Sequence, residues 1–327
     1  MKTLVTGGAG FIGSHLVDRL VEDGHDVAVL DDLSKGREEN LARHRGNPQV
    51  SFHRVNVADK DACRPHFEGV ERVFHIAGRA DIVPSIEDPL TYFESNVSGT
   101  VSVLECAREA GAKRFVYAAS SSCYGVPDEV PTPETAEVRT EYPYALKKYL
   151  GECCVLHWSR VYGLPAVSLR FFNVYGPRSR TTGAYGAVFG VFLAQKIKGH
   201  PFTVVGDGTQ TRDFVFVTDV AEACALAAGS DLHGEVLNVG AGSPQSVNRL
   251  VELLGGEVVY VPKRPGEPDV THADISRIRE KLGWEPRVSF EAGVSAMMES
   301  IDLWQEAPLW TPDSIAEATR EWFEKLG

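Results

Sequence analysis

The chain has 327 residues, 43% hydrophobic and 24% charged, with a formal net charge of -12. Such a composition describes a folded protein with a sizeable core rather than a disordered one, and its acidic balance argues against nucleic acid or an anionic membrane as partner, because both would repel it. No apolar run reaches the ~18 residues that a bilayer span requires, so no membrane partner is expected. Met1 to Gly13 read as a strand and a glycine-rich turn where a secretory leader would need basic and apolar segments, and a cytoplasmic protein is therefore expected. The six cysteines show no CxxC spacing and the ten histidines no HxxxH or HExxH pattern, so neither a disulfide framework nor a metal site is expected.

In chain order, short β-branched runs alternate with helical stretches. Thr3-Val5, Val27-Asp31, Phe52-Val57, Val73-Ile76, Phe115-Ala119 and Val167-Arg170 read as strands, with helices over Phe11 to Val21, Thr91 to Ala110 and Tyr144 to Tyr162 between them. The expected fold class is α/β, a doubly wound parallel sheet of Rossmann type. Beyond Phe172 the pattern loosens into Gly/Pro-rich loops, a helix near Val188 to Lys198, strands at Phe214-Val217, Val236-Val239 and Val258-Val261, and three C-terminal helices. The expected division is a nucleotide-binding domain over 1–172 and a smaller substrate lobe over 173–327, with about 213–242 returning to the large domain and a cleft between the two.

Gly7, Gly10 and Gly13 follow the first strand and open a helix. Glycines here let backbone N–H groups and the positive end of the helix dipole approach a pyrophosphate. Asp31 ends the second strand near the ~20-residue offset at which a carboxylate accepts hydrogen bonds from an adenosine ribose and repels a 2′-phosphate, which points to NAD rather than NADP. Read alone, Asp31 and Asp32 also fit the start of a solvated loop.

Tyr144 and Lys148, four apart, share one helix face. A nearby ammonium and an oxidised nicotinamide both favour the phenolate, which makes Tyr144 a workable acid/base despite an ordinary pKa of ~10. Ser120, Ser121 and Ser122 follow a strand at the carboxyl edge of the sheet, where Ser120 would hydrogen-bond a reacting oxygen and share its proton with Tyr144. An amphipathic helix and an ordinary strand-to-loop junction are the plain alternatives for these two stretches.

Glycine turn, serine cluster and YxxxK together resemble the extended short-chain dehydrogenase/reductase family, in particular its nucleotide-sugar epimerases and dehydratases. Further matching stretches are Leu30 to Gly36, His75-Ile76-Ala77-Gly78, Asn96 to Thr100, Arg170 to Pro177 and Arg212 to Val220, so the resemblance runs from Lys2 to roughly Trp284. It implies a NAD site lined by Gly7, Gly10, Phe11, Ile12, Asp31, Asn56, Val57, Ala77, Asn96, Tyr144 and Lys148. Asn56 stands where the family usually has Asp. It also implies that Ser121, Ser122, Asn173, Val188, Arg212, Arg264 and Glu267 hold a UDP-sugar, and that the chain forms a homodimer through helices resembling Thr91 to Ala110 and Tyr144 to Tyr162.

Relatives that eliminate water carry Asp and Glu directly after the catalytic Ser or Thr, and decarboxylating relatives usually carry Glu at the second position. Ser121 and Ser122 stand there, and a hydroxyl cannot replace a carboxylate in proton abstraction near neutral pH. The resemblance therefore implies a UDP-hexose 4-epimerase. Thr271, at a position that resembles the gate beside C2 of the sugar, is small, which implies that N-acetylated hexoses are accepted, together with UDP-glucose and UDP-galactose. Epimerisation of a uronate, with Arg178 or Arg180 meeting the carboxylate, is the nearest rival; a non-catalytic NAD-binding interaction protein is a remote one.

Overall fold

The computed structural model describes residues 1–179 and 187–327. Its first half runs β1 (Lys2–Thr6), α1 (Phe11–Glu22), β2 (Asp26–Asp31), β3 (Val50–Arg54), α2 (Lys60–Cys63), β4 (Arg72–His75), α3 (Ile82–Glu87), α4 (Pro89–Phe93), α5 (Gly99–Glu109), β5 (Arg114–Ser120), α6 (Pro143–Tyr162) and β6 (Ala166–Phe171). The second half continues with β7 (Asn173–Tyr175), α7 (Val188–Ile197), β8 (Phe202–Val205), β9 (Thr211–Arg212), β10 (Phe214–Phe216), α8 (Val217–Gly229), β11 (Glu235–Val239), β12 (Gln245–Ser246), α9 (Val247–Leu254) and β13 (Val258–Val261). Four helices close the chain: α10 (Ser276–Leu282), α11 (Phe290–Glu299), α12 (Pro312–Ala318) and α13 (Arg320–Leu326).

Seven strands form one parallel sheet in the order β11-β6-β5-β4-β1-β2-β3. The winding reverses between β1 and β4, and that reversal opens a crevice at the carboxyl ends of the strands. Alternate residues of each strand supply the two faces. Val5, Val29, Val116 and Leu169 pack with α1 and α8 on one side, while Leu4, Ala28, Phe115 and Tyr117 pack with α5 and α6 on the other. Burial on both faces explains why these strands read as nearly continuous apolar runs.

The smaller lobe gathers around aromatic side chains. Tyr175 and Phe189 stack with ring centroids 4.6 Å apart, Phe192 stacks on Phe202 at 4.9 Å, and Phe214 on Phe290 at 5.3 Å. Each offset stack adds directional packing to its area burial. Three two-stranded pieces, β7/β10, β8/β13 and β9/β12, frame this core. Among the described residues no helix is long and apolar enough to cross a membrane.

Several boundaries differ from the sequence reading. The third strand stops at Arg54, because Asn56 closes a side-chain turn in which its Oδ1 accepts from Ala58 N–H at 3.0 Å. Thr91 to Ala110 is not one regular helix: a π-helical stretch over Glu94–Ser98 separates α4 from α5 and turns Asn96 inward. Val217 starts α8 instead of ending a strand. The chain ends in four helices where three were expected, the last two parted at Thr319, whose hydroxyl donates back to the Ile315 carbonyl at 2.8 Å.

Candidate active site

A cavity of about 740 Å³ runs along the crevice from the glycine turn to the smaller lobe. At its inner end Gly7 has a φ of 69°. A Cβ there would lie 2.7 Å from the Ala77 backbone, and one on Gly13 would lie 2.1 Å from the Gly7 carbonyl oxygen. Neither position tolerates a side chain, because the obstacle is backbone. Gly10 caps α1 without any side-chain hydrogen bond and its own N–H donates to the Gly7 carbonyl at 3.0 Å, so the first-turn N–H groups of Phe11 and Ile12 are the ones suited to a phosphate.

Asp31 lies at the end of β2, with its carboxylate accepting from Ala9 N–H at 3.0 Å and Leu33 N–H at 2.9 Å. Burial raises its pKa and the two N–H bonds oppose the rise. Lone pairs remain for two vicinal hydroxyls. Asn56, Val57 and Ala77 line the same stretch of wall. Asn96 is placed differently. It is buried behind the wall, where its amide accepts from Arg79 N–H at 2.8 Å and donates to the Arg79 carbonyl at 2.9 Å; it shapes the loop after β4 and is not among the residues lining the cavity.

Beneath that loop His75 is fully buried, and burial, then Lys148, lowers its pKa to about 3. Thr100 Oγ1 donates to the Asn96 carbonyl at 2.7 Å. Its oxygen must therefore accept from His75 Nε2 at 3.0 Å, while His75 Nδ1 accepts from Thr6 Oγ1 at 2.7 Å and Thr6 in turn accepts from Ala77 N–H at 3.3 Å. One neutral imidazole tautomer thus ties Ala77 to Asn96.

Of the three proposed catalytic side chains, Ser120 and Tyr144 lie beside each other and Lys148 stands one turn along α6, and none of the three is among the residues lining the cavity. Pro143 sets the first turn of α6, and Tyr144 N–H finds its partner in Ser85 Oγ of α3 at 3.0 Å. Burial pushes the Tyr144 phenol pKa up, and Ser120 beside it opposes that larger effect. Lys148 is buried with Nζ 4.6 Å from the Tyr117 ring centroid. Burial brings its pKa down to about 8, with Glu152 pulling the other way. Acidification of Tyr144 by its lysine, anticipated from the spacing, is absent from the protein alone: the lowering influence comes from Ser120. Ser122 donates to Ser120 Oγ at 2.9 Å. Ser121 starts the tight turn after β5.

Arg212 and Arg264 meet at the outer end, both facing Glu267 Oε1, at 3.8 and 3.3 Å. Burial holds the Arg212 pKa below its ordinary value and Glu267 opposes this. Two guanidiniums around one carboxylate leave a net positive pole suited to a diphosphate within an acidic protein. Asn173 and Val188 line the cavity beside them. Thr271 sits behind Asn173: its hydroxyl donates to Asn173 Oδ1 at 2.9 Å and accepts from Asp213 N–H at 3.0 Å, and it is not among the lining residues. Arg178 is held by Asp18 of α1 at 2.7 Å. Arg180 lies outside the described residues.

Two contributors escaped the sequence reading. Tyr142 lies nearly parallel to Tyr144 with ring centroids 6.4 Å apart, and Ser122 opposes the effect of burial, which pushes its phenol pKa up. Trp322 of α13 lines the cavity and reaches Tyr142, with centroids 6.4 Å apart. The doublet Tyr142-Pro143-Tyr144 was a usable signal for the first; nothing local marks the second.

Comparison with known proteins agrees with this geometry. The profile of the NAD dependent epimerase/dehydratase family matches residues 3–240. The UDP-glucose 4-epimerase of Mycolicibacterium smegmatis is 38% identical over 307 residues, covering 91% of this chain and 98% of that protein. The structure of UDP-glucose 4-epimerase with UDP-glucose from Thermotoga maritima is similar with a TM-score of 0.86 at 37% identity, covering 93% of this chain and 99% of that one. A UDP-N-acetylglucosamine 4-epimerase from Methanobrevibacter ruminantium, in complex with UDP-N-acetylmuramic acid, gives a TM-score of 0.87 at 32% identity over 92% of this chain and 98% of that one. With a reversed-winding parallel sheet, a glycine turn on α1, Ser120 at the end of β5 and Tyr144 and Lys148 on α6, the chain belongs to the NAD dependent epimerase/dehydratase family.

Proposed function

We propose that this protein is a UDP-hexose 4-epimerase that accepts UDP-N-acetylglucosamine and UDP-N-acetylgalactosamine, and also UDP-glucose and UDP-galactose. The observation that carries the reading is the company of Tyr144: Ser120 stands beside its phenol and lowers its pKa, Lys148 lies one turn along α6, and Ser121 and Ser122 stand where an eliminating or decarboxylating relative carries acids. Asp81 influences Tyr144 electrostatically, but it is engaged by Lys35 at 3.5 Å.

Bound NAD would supply the acceptor and then the donor for the C4 hydride, and its positive ring would favour the Tyr144 phenolate. Asp31 and the N-terminus of α1 hold the dinucleotide, and the carboxylate disfavours NADP. Tyr144 Oη removes the C4 hydroxyl proton while Ser120 hydrogen-bonds the same oxygen, giving a 4-keto sugar. Arg212 and Arg264 anchor the diphosphate, so the ring turns about that link and presents its other face. Tyr144 then returns the proton.

In this reading residues 1–172 bind the dinucleotide and 173–327 the sugar nucleotide. Thr271, through Asn173, leaves room beside C2. Exposed Leu90, Phe93, Leu146, Val161 and Tyr162 on α4 and α6 would be covered in a homodimer, and six free thiols fit a reducing cytoplasm. In the uronate alternative Arg178, which lines the cavity and meets Asp18 through Nη2, would meet the carboxylate through Nη1, which has no partner among the described residues.

Product analysis by NMR after incubation with a panel of UDP-, dTDP-, GDP- and CDP-hexoses tests the proposal. C4 epimers of the UDP-hexoses, including the N-acetylated ones, are expected. Turnover of UDP-glucose with no action on UDP-N-acetylglucosamine would remove the N-acetyl part, and a dehydrated or decarboxylated product would remove the whole.

A further inference from the structure

The segment 308–327 belongs to no element that the reaction described above uses, yet it reaches the cavity wall. It is tied down from both sides. Gln195 Nε2 donates to the Trp310 carbonyl at 2.7 Å, and Thr311 caps α12 reciprocally with Ser314. α13 then packs against α3 of the large domain, so the chain terminus spans from the smaller lobe to the large domain.

At this crossing Trp322 is only 4% exposed. Its Nε1 donates to the Pro265 carbonyl at 2.8 Å, which pins the loop that carries Arg264 and Glu267. The Arg264 guanidinium lies over the Trp322 ring with Cζ 5.4 Å from the centroid. Its side chain is 11% exposed although it lines the cavity, so one face rests on the indole while its edge meets Glu267. The Trp322 ring also approaches Tyr142, which continues to Tyr144. An aromatic wall thus joins the acid/base tyrosine to an arginine at the far end of the site.

We propose that Trp322 is a positioning residue for the sugar-nucleotide diphosphate: it fixes the plane of the Arg264 guanidinium and the 263–267 loop, which makes the C-terminal helix pair a working part of the active site. The inference rests on the reading of Arg212 and Arg264 as the diphosphate pole. A long, rotamer-rich arginine loses freedom whenever it binds, and an indole beneath it removes much of that loss before the ligand arrives. Because the diphosphate is held equally in ground and transition states, the effect belongs in KM and not in kcat.

Full-length Trp322→Ala, Trp322→Phe and Trp322→Leu are compared with the wild type for UDP affinity by calorimetry, for kcat and KM on a UDP-hexose, and for bound NAD content and thermal midpoint. Trp322→Ala and Trp322→Leu are expected to weaken UDP and raise KM by roughly three- to thirtyfold, with kcat within about twofold and NAD content unchanged. Trp322→Phe keeps a ring under Arg264 and is expected to recover most of the loss. In an Arg264→Ala background the Trp322→Leu change is expected to add little, since the two act through one contact. Wild-type affinity for UDP combined with unaltered affinity in Trp322→Ala and Trp322→Leu overturns this proposal alone. A wild type that binds no UDP overturns the diphosphate reading and this inference with it.

Discussion

Replacing Lys148 by Met is predicted to remove activity and to stabilise the protein at neutral pH. The ammonium is 6% exposed, and burial brings its pKa from an ordinary 10.5 to about 8. At ~1.4 kcal/mol per pH unit, that fall corresponds to about 3 kcal/mol of folding free energy lost by keeping the charge inside. Methionine keeps the length and apolar stem of the side chain. The cation–π contact with Tyr117 goes with the charge, at a cost of ~1–2 kcal/mol, so a net gain of ~1–2 kcal/mol is expected. Because the folded-state pKa lies below that of the unfolded chain, the penalty is present in full below pH 8, shrinks as pH rises from 8 to 10.5, and is gone above. Urea denaturation of the cofactor-stripped wild type and Lys148→Met across that range provides the assay, alongside turnover, which should fall ~100-fold or more. A variant less stable than wild type at neutral pH by more than ~1 kcal/mol, or an advantage that does not shrink toward pH 10.5, would refute the reasoning.

Other substitutions probe neighbouring parts of the argument. Gly13→Ala places a Cβ 2.1 Å from the Gly7 carbonyl oxygen; a loss of ~1–3 kcal/mol together with weakened NAD binding is expected by urea titration and cofactor calorimetry. Glu152→Gln leaves the buried Arg170 guanidinium without the carboxylate that it meets at 2.6 Å; a loss of ~3–5 kcal/mol is expected by denaturant unfolding. Tyr144→Phe should leave the fold intact by circular dichroism and lower kcat by ~10²–10⁴-fold, with UDP affinity little changed. His75, held neutral with a pKa of about 3, should contribute no imidazole titration to an NMR pH series near neutrality.

The large domain was legible because its signals are local and periodic. β1, the turn at Gly7, Gly10 and Gly13, and Asp31 follow one another within a single strand-helix-strand unit, and Tyr144 and Lys148 are neighbours on one helix. Asn96 was read as a cofactor contact, but it serves the Arg79 backbone; a π-helical turn that redirects one amide leaves no mark in hydrophobic spacing. Thr271 was read as a gate, and its hydroxyl is spent on Asn173 and Asp213, a use that depends on loops meeting in space. Trp322 left no mark in the sequence, because its contacts with Arg264, Pro265 and Tyr142 join segments far apart in the chain. The ionisation of Lys148 was invisible for a related reason: helix spacing gives its neighbour on α6 but not the Tyr117 ring beneath it.

The central claim is that the hydrogen on C4 leaves and returns within one closed site without exchanging with water. Incubating the purified protein with UDP-N-acetylglucosamine deuterated at C4, and following both epimers by NMR in ordinary water, tests it most directly. The account predicts the C4 epimer with deuterium retained at C4 in both sugars, and no epimer from Tyr144→Phe. Loss of the label to solvent, or no C4 epimer from any UDP-hexose, would contradict it.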